Sequence, residues 1–567
     1  MAGHTSFVLS ETIQHDSYRS ERTSSRNKLV SGRLGCRLVD AILAGQSTRR
    51  NCFSCFSPTN RAGIMNSLLR LTLAAWLLLV GNDTGSAVAQ PPPAANSAQT
   101  VATASDFVPV NVLLICIDDL RNELGYLGSP RAKTPQLDRF AKSAVSFSQH
   151  YVQVPTCGAS RAALLRGRYP DRREHLSNNA TASTHEQWAS ESLPGWFSRH
   201  GYQTVSLGKV THYPGNLRGG NWNAPPEELP GVWTRALIPS GPWPHAEAMM
   251  HGYADGQARQ RGESPAIEAG GGDDRLYPDA WVADEAIRRL QDLHDGSDPW
   301  LFAVGFFKPH LPFAAPQAWF DLHDPADFDP PANAQRPTWP SGWHNSGEFR
   351  GNYGHAGLDP ATDPAYAREL RRAYAASVSY MDHQLGRLLA ALEELDPQRR
   401  TCVVIWSDHG FLLGEHAIWG KHCLYEEALR SPLMIRAPQP GQAGAISPAV
   451  VETVDLLPTL VDLCALPALP QVDGQSLRPW LENPQRKTSK PALSFWTGDA
   501  RSIRTDRYRL IEHQQAKPAG ATPGGRAIEL FDYQLDPAES ENVAAEHPEM
   551  VRALRKELAA RWQQPEG

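Results

Sequence analysis

Val110-Asn111-Val112-Leu113-Leu114-Ile115-Cys116-Ile117-Asp118-Asp119 is an apolar run, broken only by Asn111, that ends in two aspartates. A run of this length without polar alternation suits a strand buried on both faces of a parallel sheet. Thr134-Pro135 then supplies a helix N-cap with proline at the first helical position. Leu137, Phe140, Ala141, Ala144 and Val145 keep helical spacing on one face. Strand, loop, helix is the opening of a layered α/β fold.

The same grammar returns downstream. Trp300 to Phe307 reads as a buried strand. Leu370 to Leu395 reads as a long helix, with Val378, Met381, Leu385, Leu388, Leu389 and Leu392 on one stripe and Asp396-Pro397 as its stop. Cys402 to Trp406 reads as another buried strand, followed by Ser407-Asp408-His409-Gly410. In open α/β sheets ligands gather at the carboxyl ends of strands. Asp118, Asp119, Asp408 and His409 are therefore expected to meet. A single aspartate at a strand end is as readily a turn or a cap. Three carboxylates converging without a cation would repel one another, so a hard divalent cation is their natural partner, and oxygen-rich ligation suits calcium or magnesium.

The whole chain sets bounds on this reading. Its 567 residues are 41% hydrophobic and 20% charged, an ordinary soluble composition with room for two domains. The formal charge of −6 comes without a basic block, so no nucleic-acid partner is expected. Residues 65–89 hold a charged start, a short apolar run and an Ala87-Val88-Ala89 end, the parts of a secretory signal peptide. Leu71 to Val80 falls short of the roughly 20 residues of a membrane span, so a secreted or periplasmic protein without a stable span is expected. Residues 1–64 then read as an over-extended start or an unstructured leader, and 90–106 as a linker. A catalytic domain is expected over 107–484 and a smaller subdomain over 485–567. Cys116 and Cys402 sit in strand-like runs, where cysteine acts as a small hydrophobe, and no dense disulfide framework is implied.

Residues 214–278 and 314–366 are rich in Pro, Gly and Trp and too long for simple connections, so they should form ordered lids or pocket walls. After Pro484 come short strand-like segments, Ala492 to Trp496, Ser502 to Arg504, Tyr508 to Glu512 and Glu529 to Asp532, then a helix from about Pro548 to Trp562.

Between these elements, residues 155–169 read Pro-Thr-Cys-Gly-Ala-Ser-Arg-Ala-Ala-Leu-Leu-Arg-Gly-Arg-Tyr. This stretch resembles the signature of the type I sulfatases, in which the cysteine is oxidised to formylglycine. The resemblance continues in order. It takes in Gly208-Lys209-Val210-Thr211-His212, Phe307-Lys308-Pro309-His310-Leu311-Pro312-Phe313 and the segment from Gly414-Glu415-His416 through Trp419 to Lys421. Leu424 to Ile435 and Val454 to Leu460 follow. Asp408-His409, where many sulfatases carry Asn in the second position, resembles the iduronate-2-sulfatase branch.

The resemblance covers about Val110 to Val543 and implies the following. The fold would be alkaline-phosphatase-like, a large mostly parallel sheet flanked by helices with a smaller C-terminal antiparallel sheet plus helix. The activity would be that of a sulfuric ester hydrolase acting on an acidic sugar or sulfated polysaccharide. Cys157, converted by a formylglycine-generating or sulfatase-maturing enzyme, would stand as a geminal diol. One hydroxyl attacks the sulfate ester and the other expels sulfate by re-forming the carbonyl. One divalent metal, with calcium favoured, would be held by Asp118, Asp119, Cys157, Asp408 and His409, with His409 otherwise a supporting residue. Arg161 would hold the diol, Lys209 and Lys421 would clamp the sulfate, His212 would take a proton from the diol, and His310 would hydrogen-bond the sulfate or protonate the leaving alcohol. His416 and Lys308 would support them. Ala159 stands where proline is usual, which bears on recognition by the maturing enzyme, and Arg166 stands where threonine is frequent.

Trp222, Trp233, Trp243, Trp339 and Trp343 agree with a carbohydrate ligand, and equally with loop packing. Choline- or aryl-sulfatase activity, phosphomonoester or phosphonate hydrolysis in the same superfamily, and non-catalytic binding of sulfated glycans through an unmodified Cys157 are the alternative readings.

Overall fold

The computed structural model describes residues 109–562, leaving out 219–226, 240, 342, 439–440, 498, 515–525 and the side chains of 184–187. The expected leader, signal peptide and linker, and Trp222, lie outside the described residues. At the centre is an eight-stranded sheet. In chain order its strands are β1 (Val112–Asp118), β2 (Val145–Tyr151), β3 (Gln203–Gly208), β4 (Arg235–Leu237), β5 (Trp300–Pro309), β6 (Cys402–Ser407), β7 (Leu433–Arg436) and β8 (Ile446–Glu452). Across the sheet they lie in the order β8-β2-β7-β6-β1-β5-β3-β4. β7 is antiparallel to both neighbours, and every other neighbouring pair is parallel.

β1 sits between β5 and β6, and all seven of its residues are buried. Val112, Leu114 and Cys116 enter one core with Leu301, Ala303, Val404 and Trp406. Leu113, Ile115 and Ile117 enter the other with Phe302, Val304, Val403 and Ile405. Both faces are dry, which is why the run carries no polar alternation. The helices α1 (Pro135–Ala141), α3 (Pro278–His294) and α4 (Pro364–Leu395) supply the second core, while α2 (Cys157–Arg166) and α5 (Leu456–Leu463) supply the first.

α4 begins earlier than its apolar stripe, because Asp363 accepts hydrogen bonds from Ala365 N and Tyr366 N and Pro364 follows at the first position. All six stripe residues are buried. Two details at α1 differ from the sequence reading. Thr134 does not cap the helix with its hydroxyl; Asp382 of α4 does so from a distance, accepting from Gln136 N at 3.0 Å and Leu137 N at 2.8 Å. The helix also stops at Ala141, so Ala144 and Val145 do not extend its stripe. Val145 opens β2, where pairing with β7 and the β-branched and aromatic residues Val145, Phe147 and Tyr151 override helical spacing.

The C-terminal part is an antiparallel sheet of β9 (Ala492–Trp496), β10 (Ala500–Arg504), β11 (Tyr508–Gln514) and β12 (Arg526–Asp532), in chain order. Leu493, Ile503, Leu510 and Leu530 on one face pack on Leu554 and Leu558 of α6 (Pro548–Arg561). Ala492, Ala500, Ile511 and Phe531 on the other face pack on Tyr151, Leu424 and Tyr425. Period-two alternation therefore seals the small sheet against two different layers. Among the described residues no helix is long and apolar enough to cross a membrane.

Candidate active site

Successive side chains of an extended strand face opposite sides, so Asp118 and Asp119 would diverge on a regular strand. The β1–β5 register slips between Ile117 and Asp118, and Asp119 takes a left-handed φ of 61°. Aspartate tolerates that conformation better than most residues. Both carboxylates consequently join one cluster. Ligand atoms of Asp118, Asp119, Cys157 and His310 lie within 4.8 Å of one another, as do those of Asp118, Cys157, Asp408 and His409.

Cys157 is the first residue of α2, which is buried along its whole length. Asn178 Oδ1 fixes this end of the helix, accepting from Gly158 N at 3.0 Å and Thr156 Oγ1 at 3.1 Å. Cys157 Sγ lies 3.3 Å from His409 Nε2. Burial, reinforced by the charge of Asp118, raises the thiol pKa well above its ordinary value. As cysteine the side chain is a protonated thiol and a poor nucleophile.

One turn further along α2, Arg161 is fully buried. Its Nε donates to Asp408 Oδ2 at 2.9 Å and its Nη2 to Asp118 Oδ1 at 3.3 Å, while Nη1 donates to the Lys209 and Val210 carbonyls. One side chain thus joins the ends of β1, β6 and β3. The approach of β3 to β5 requires glycine: a Cβ on Gly305 would stand 2.1 Å from the Lys209 carbonyl carbon and oxygen, and Gly208 has φ 73°. It places Lys209 Nζ against Asp118 Oδ2. Lys421 Nζ lies 2.8 Å from Asp119 Oδ1 and 3.0 Å from Glu348 Oε2.

These charges set the protonation of their neighbours. Burial works against a charged Asp118, but Lys209, His310 and Arg161 hold its pKa well below the usual range. Burial lifts Asp119 to about 7 against the pull of Lys421, with Asp118 adding to the rise. Burial and the adjacent Lys209 charge hold His212 well below an ordinary histidine, and its Nδ1 is buried without a partner among the described residues. His310 is lowered by burial and by Lys209; its Nδ1 is 2.7 Å from Leu311 O and its Nε2 is 3.2 Å from Glu348 Oε1.

The donor set fits a hard divalent cation. Calcium–oxygen bonds of about 2.3–2.6 Å put opposite ligands about 5 Å apart, and the clustered atoms lie within 4.8 Å of one another. Asp118, Asp119, Asp408 and Glu348 outnumber Arg161, Lys209 and Lys421 by one charge, so a divalent ion would leave a single positive surplus suited to a sulfate monoester. Cys157 Sγ marks where a converted side chain would present oxygen instead of sulfur.

The structure brings together every site residue named from the sequence: Asp118, Asp119, Cys157, Arg161, Lys209, His212, His310, Asp408, His409 and Lys421. Lys308 lies behind, donating to Pro312 O at 2.6 Å, and His416 stacks on Tyr425 with ring centroids 4.2 Å apart. Sequence reasoning missed Glu348, Asn178 and His251, the last with its ring 5.2 Å from that of His310. All three come from stretches without periodicity or motif. Several of the flagged tryptophans are committed to packing. Trp243 Nε1 donates to Tyr253 O, Trp339 Nε1 donates to Glu529, and Trp343 lies against His344 and His513.

The sulfatase family model matches residues 110–465. This chain belongs to the sulfatase family. A second model, of the N-sulphoglucosamine sulphohydrolase C-terminal region, matches residues 414–564 of this sulfatase. It is 28% identical over 522 residues to iduronate 2-sulfatase of Mus musculus, covering 79% of this chain and 93% of the relative. A solved structure in complex with its substrate D-glucosamine-2-N,6-O-disulfate superposes with TM-score 0.61 at 22% identity, covering 80% of this chain and 98% of that one. The phosphonate monoester hydrolase of Agrobacterium radiobacter does so with TM-score 0.61 at 23% identity, covering 80% and 95%. The last two speak for the alkaline-phosphatase-like fold. The family's chemistry is sulfuric ester hydrolysis, and iduronate 2-sulfatases are among this sulfatase's relatives.

Proposed function

We propose that this sulfatase hydrolyses sulfate esters of an acidic sugar or sulfated polysaccharide, with formylglycine made from Cys157 as nucleophile. Residues 107–484 would form its catalytic domain and 485–567 its C-terminal subdomain, exported through a signal peptide at about 65–89. Asp118, Asp119, Asp408, His409 and the converted side chain at 157 would hold one divalent cation, calcium in preference to magnesium. When bound, that cation polarises sulfate oxygens and offsets the excess of carboxylates.

The observation that carries this reading is a buried thiol, unreactive as such, ringed by four carboxylates and three fixed cations. Lys209 and Lys421 are held against Asp118 and Asp119, and they bind and orient the anionic ester without reorganising. Arg161 keeps the carboxylates in place. His212, neutral and with an open Nδ1, takes a proton from the side chain at 157. His310 hydrogen-bonds the sulfate or protonates the leaving alcohol oxygen.

The test is a mass spectrum of the tryptic peptide containing Cys157 from protein made in its native host. It is run beside sulfate release from iduronate 2-sulfate disaccharides, sulfated glucosamines, choline sulfate and an aryl sulfate, and hydrolysis of a phosphonate monoester. Conversion of Cys157 with fastest turnover of a sulfated sugar supports the reading. Unmodified Cys157 with no sulfate release leaves a glycan-binding protein, and fastest turnover of another ester moves the specificity to that class.

A further inference from the structure

The last residues of β5 run past their neighbours. β3 pairs with β5 as far as Gly305, and β1 pairs with it through Phe306 and then skips to Pro309. Phe307 N and Lys308 N thus lie outside the ladder in a strand that is buried throughout, and a buried N–H needs a partner. Asp279, the second residue of α3 and fully buried, supplies it. Its Oδ1 accepts from Phe307 N at 2.8 Å and its Oδ2 from Lys308 N at 2.9 Å. The Lys308 side chain, also fully buried, turns to the segment that follows it, donating to His310 O at 3.3 Å and to Pro312 O at 2.6 Å. Phe307 O accepts from His310 N at 3.0 Å. Both backbone groups of His310 are therefore tied to the two residues that Asp279 holds. Its ring Nδ1 lies 2.7 Å from Leu311 O, which leaves Nε2 for the site.

Burial disfavours the charges on Asp279 and Lys308, and each offsets part of that cost for the other. An apolar residue of the same volume could fill the place of Lys308 without a buried charge; what the ammonium adds is a fixed place for the backbone of His310. We propose that Asp279 and Lys308 are positioning residues that hold His310 for protonation of the leaving alcohol, a role that rests on the sulfatase reading above. As the bond from sulfur to the alcohol oxygen breaks, its electron pair stays on that oxygen. The oxygen takes a proton from His310 Nε2, and His310 is left neutral. A displacement of about 1 Å in such a group costs about 10²-fold in rate. Lys209 and Lys421 hold the sulfate from other elements, so the loss should fall on kcat rather than KM, and on esters whose leaving oxygen needs a proton.

The experiment measures kcat and KM per folded, formylglycine-bearing molecule of the full chain. The esters are 4-nitrophenyl sulfate, whose phenolate departs unaided, and phenyl sulfate and an iduronate 2-sulfate disaccharide, whose leaving oxygens need a proton. Lys308→Met should lower kcat for the last two about 10²-fold and for 4-nitrophenyl sulfate less than about fivefold. Asp279→Asn, which keeps one acceptor, should show the same preference with a smaller loss. In a His310→Ala background Lys308→Met should cost less than about twofold on every ester, because the group it positions is gone. If Lys308→Met does not fold, Asp279→Asn/Lys308→Met, which removes both buried charges, takes its place with the same expected losses. Equal loss on all the esters, no loss on any, or a full loss that persists in the His310→Ala background would each overturn the positioning role while leaving the sulfatase reading intact. Formylglycine-bearing wild-type protein that releases no sulfate from any of the esters would overturn that reading, and the positioning role with it.

Discussion

Two groups of buried ions lie in this molecule, and they are built differently. Where the C-terminal sheet meets the rest of the molecule, Glu426 accepts from Tyr151 OH at 2.8 Å and from Arg509 Nη2 at 2.5 Å, with Arg504 Nε 3.4 Å away. Glu539 accepts from Glu426 N at 2.8 Å and from Tyr533 OH at 2.5 Å. The Arg504 guanidinium lies 3.7 Å from the Tyr533 ring centroid. Two acids, two guanidiniums and two phenols close on one another. Burial opposes the charge on Glu426, yet Arg504 and Arg509 hold its pKa well below the usual carboxylate range. Around Cys157 the ions do not close. Adjacent aspartates face the same space, His212 Nδ1 has no partner among the described residues, and Asp118, Asp119, Asp408 and Glu348 outnumber Arg161, Lys209 and Lys421 by one. The difference teaches how to read buried charge: a complete network serves the fold, and one that lacks a member is a place for something that comes from outside.

The contrast can be broken from either side. Cys157→Ala should lower sulfate release by about 10⁴-fold or more while the denaturant midpoint hardly moves; a large loss of stability with it would mean that the open cluster also holds the fold. Glu426→Gln should do the reverse. It leaves two guanidiniums under-compensated at a cost of about 3–5 kcal/mol in urea unfolding, with kcat/KM per folded molecule unchanged. Lys421→Ala should lower kcat/KM by about 10²–10³-fold, the usual loss of one preorganised donor to a developing charge. Chelation followed by dialysis should abolish activity, and calcium at about 100 times its Kd should restore both activity and about 2.7 kcal/mol of stability. The same calcium should stabilise Glu426→Gln by the same amount and leave its gap to the parent protein unchanged, because its defect lies in the closed network. The smallest effect is expected of Glu348→Gln, about tenfold in kcat/KM, because it removes one of two carboxylates on Lys421 and leaves the other.

The legible parts of the chain were those in which chemistry adjoins a periodic element. β1 and β6 are apolar without interruption because both their faces are dry, and the aspartates that end them had to share one edge of the sheet. The glycines at 208 and 305 are legible only after the fact, through the strand approach they permit. Val145 was misread because helical spacing continues at Ala144 and Val145, past Ala141 where α1 stops, and nothing local announces that β7 competes for it. Asp382 caps a helix about 250 residues away in sequence, a partnership that no window reveals. Glu348 and Asn178 reach the site from stretches without a motif, so their importance is a matter of where tertiary packing sets them down. Trp243, Trp339 and Trp343, which lie in the long Pro- and Gly-rich stretches, are committed to packing.

The complete burial of α2 fixes an order of events. Cys157 and Arg161 lie at 2% and 0% exposure, under a roof that includes Trp496 from the last quarter of the chain. On the proposed reading, an enzyme that oxidises the side chain at 157 needs access to it, and burial denies that access once α2 is packed. Conversion and folding are then rivals in time. On that reading, molecules that fold first would be excluded from maturation for as long as they stay native, and the active fraction of a preparation would be decided during synthesis.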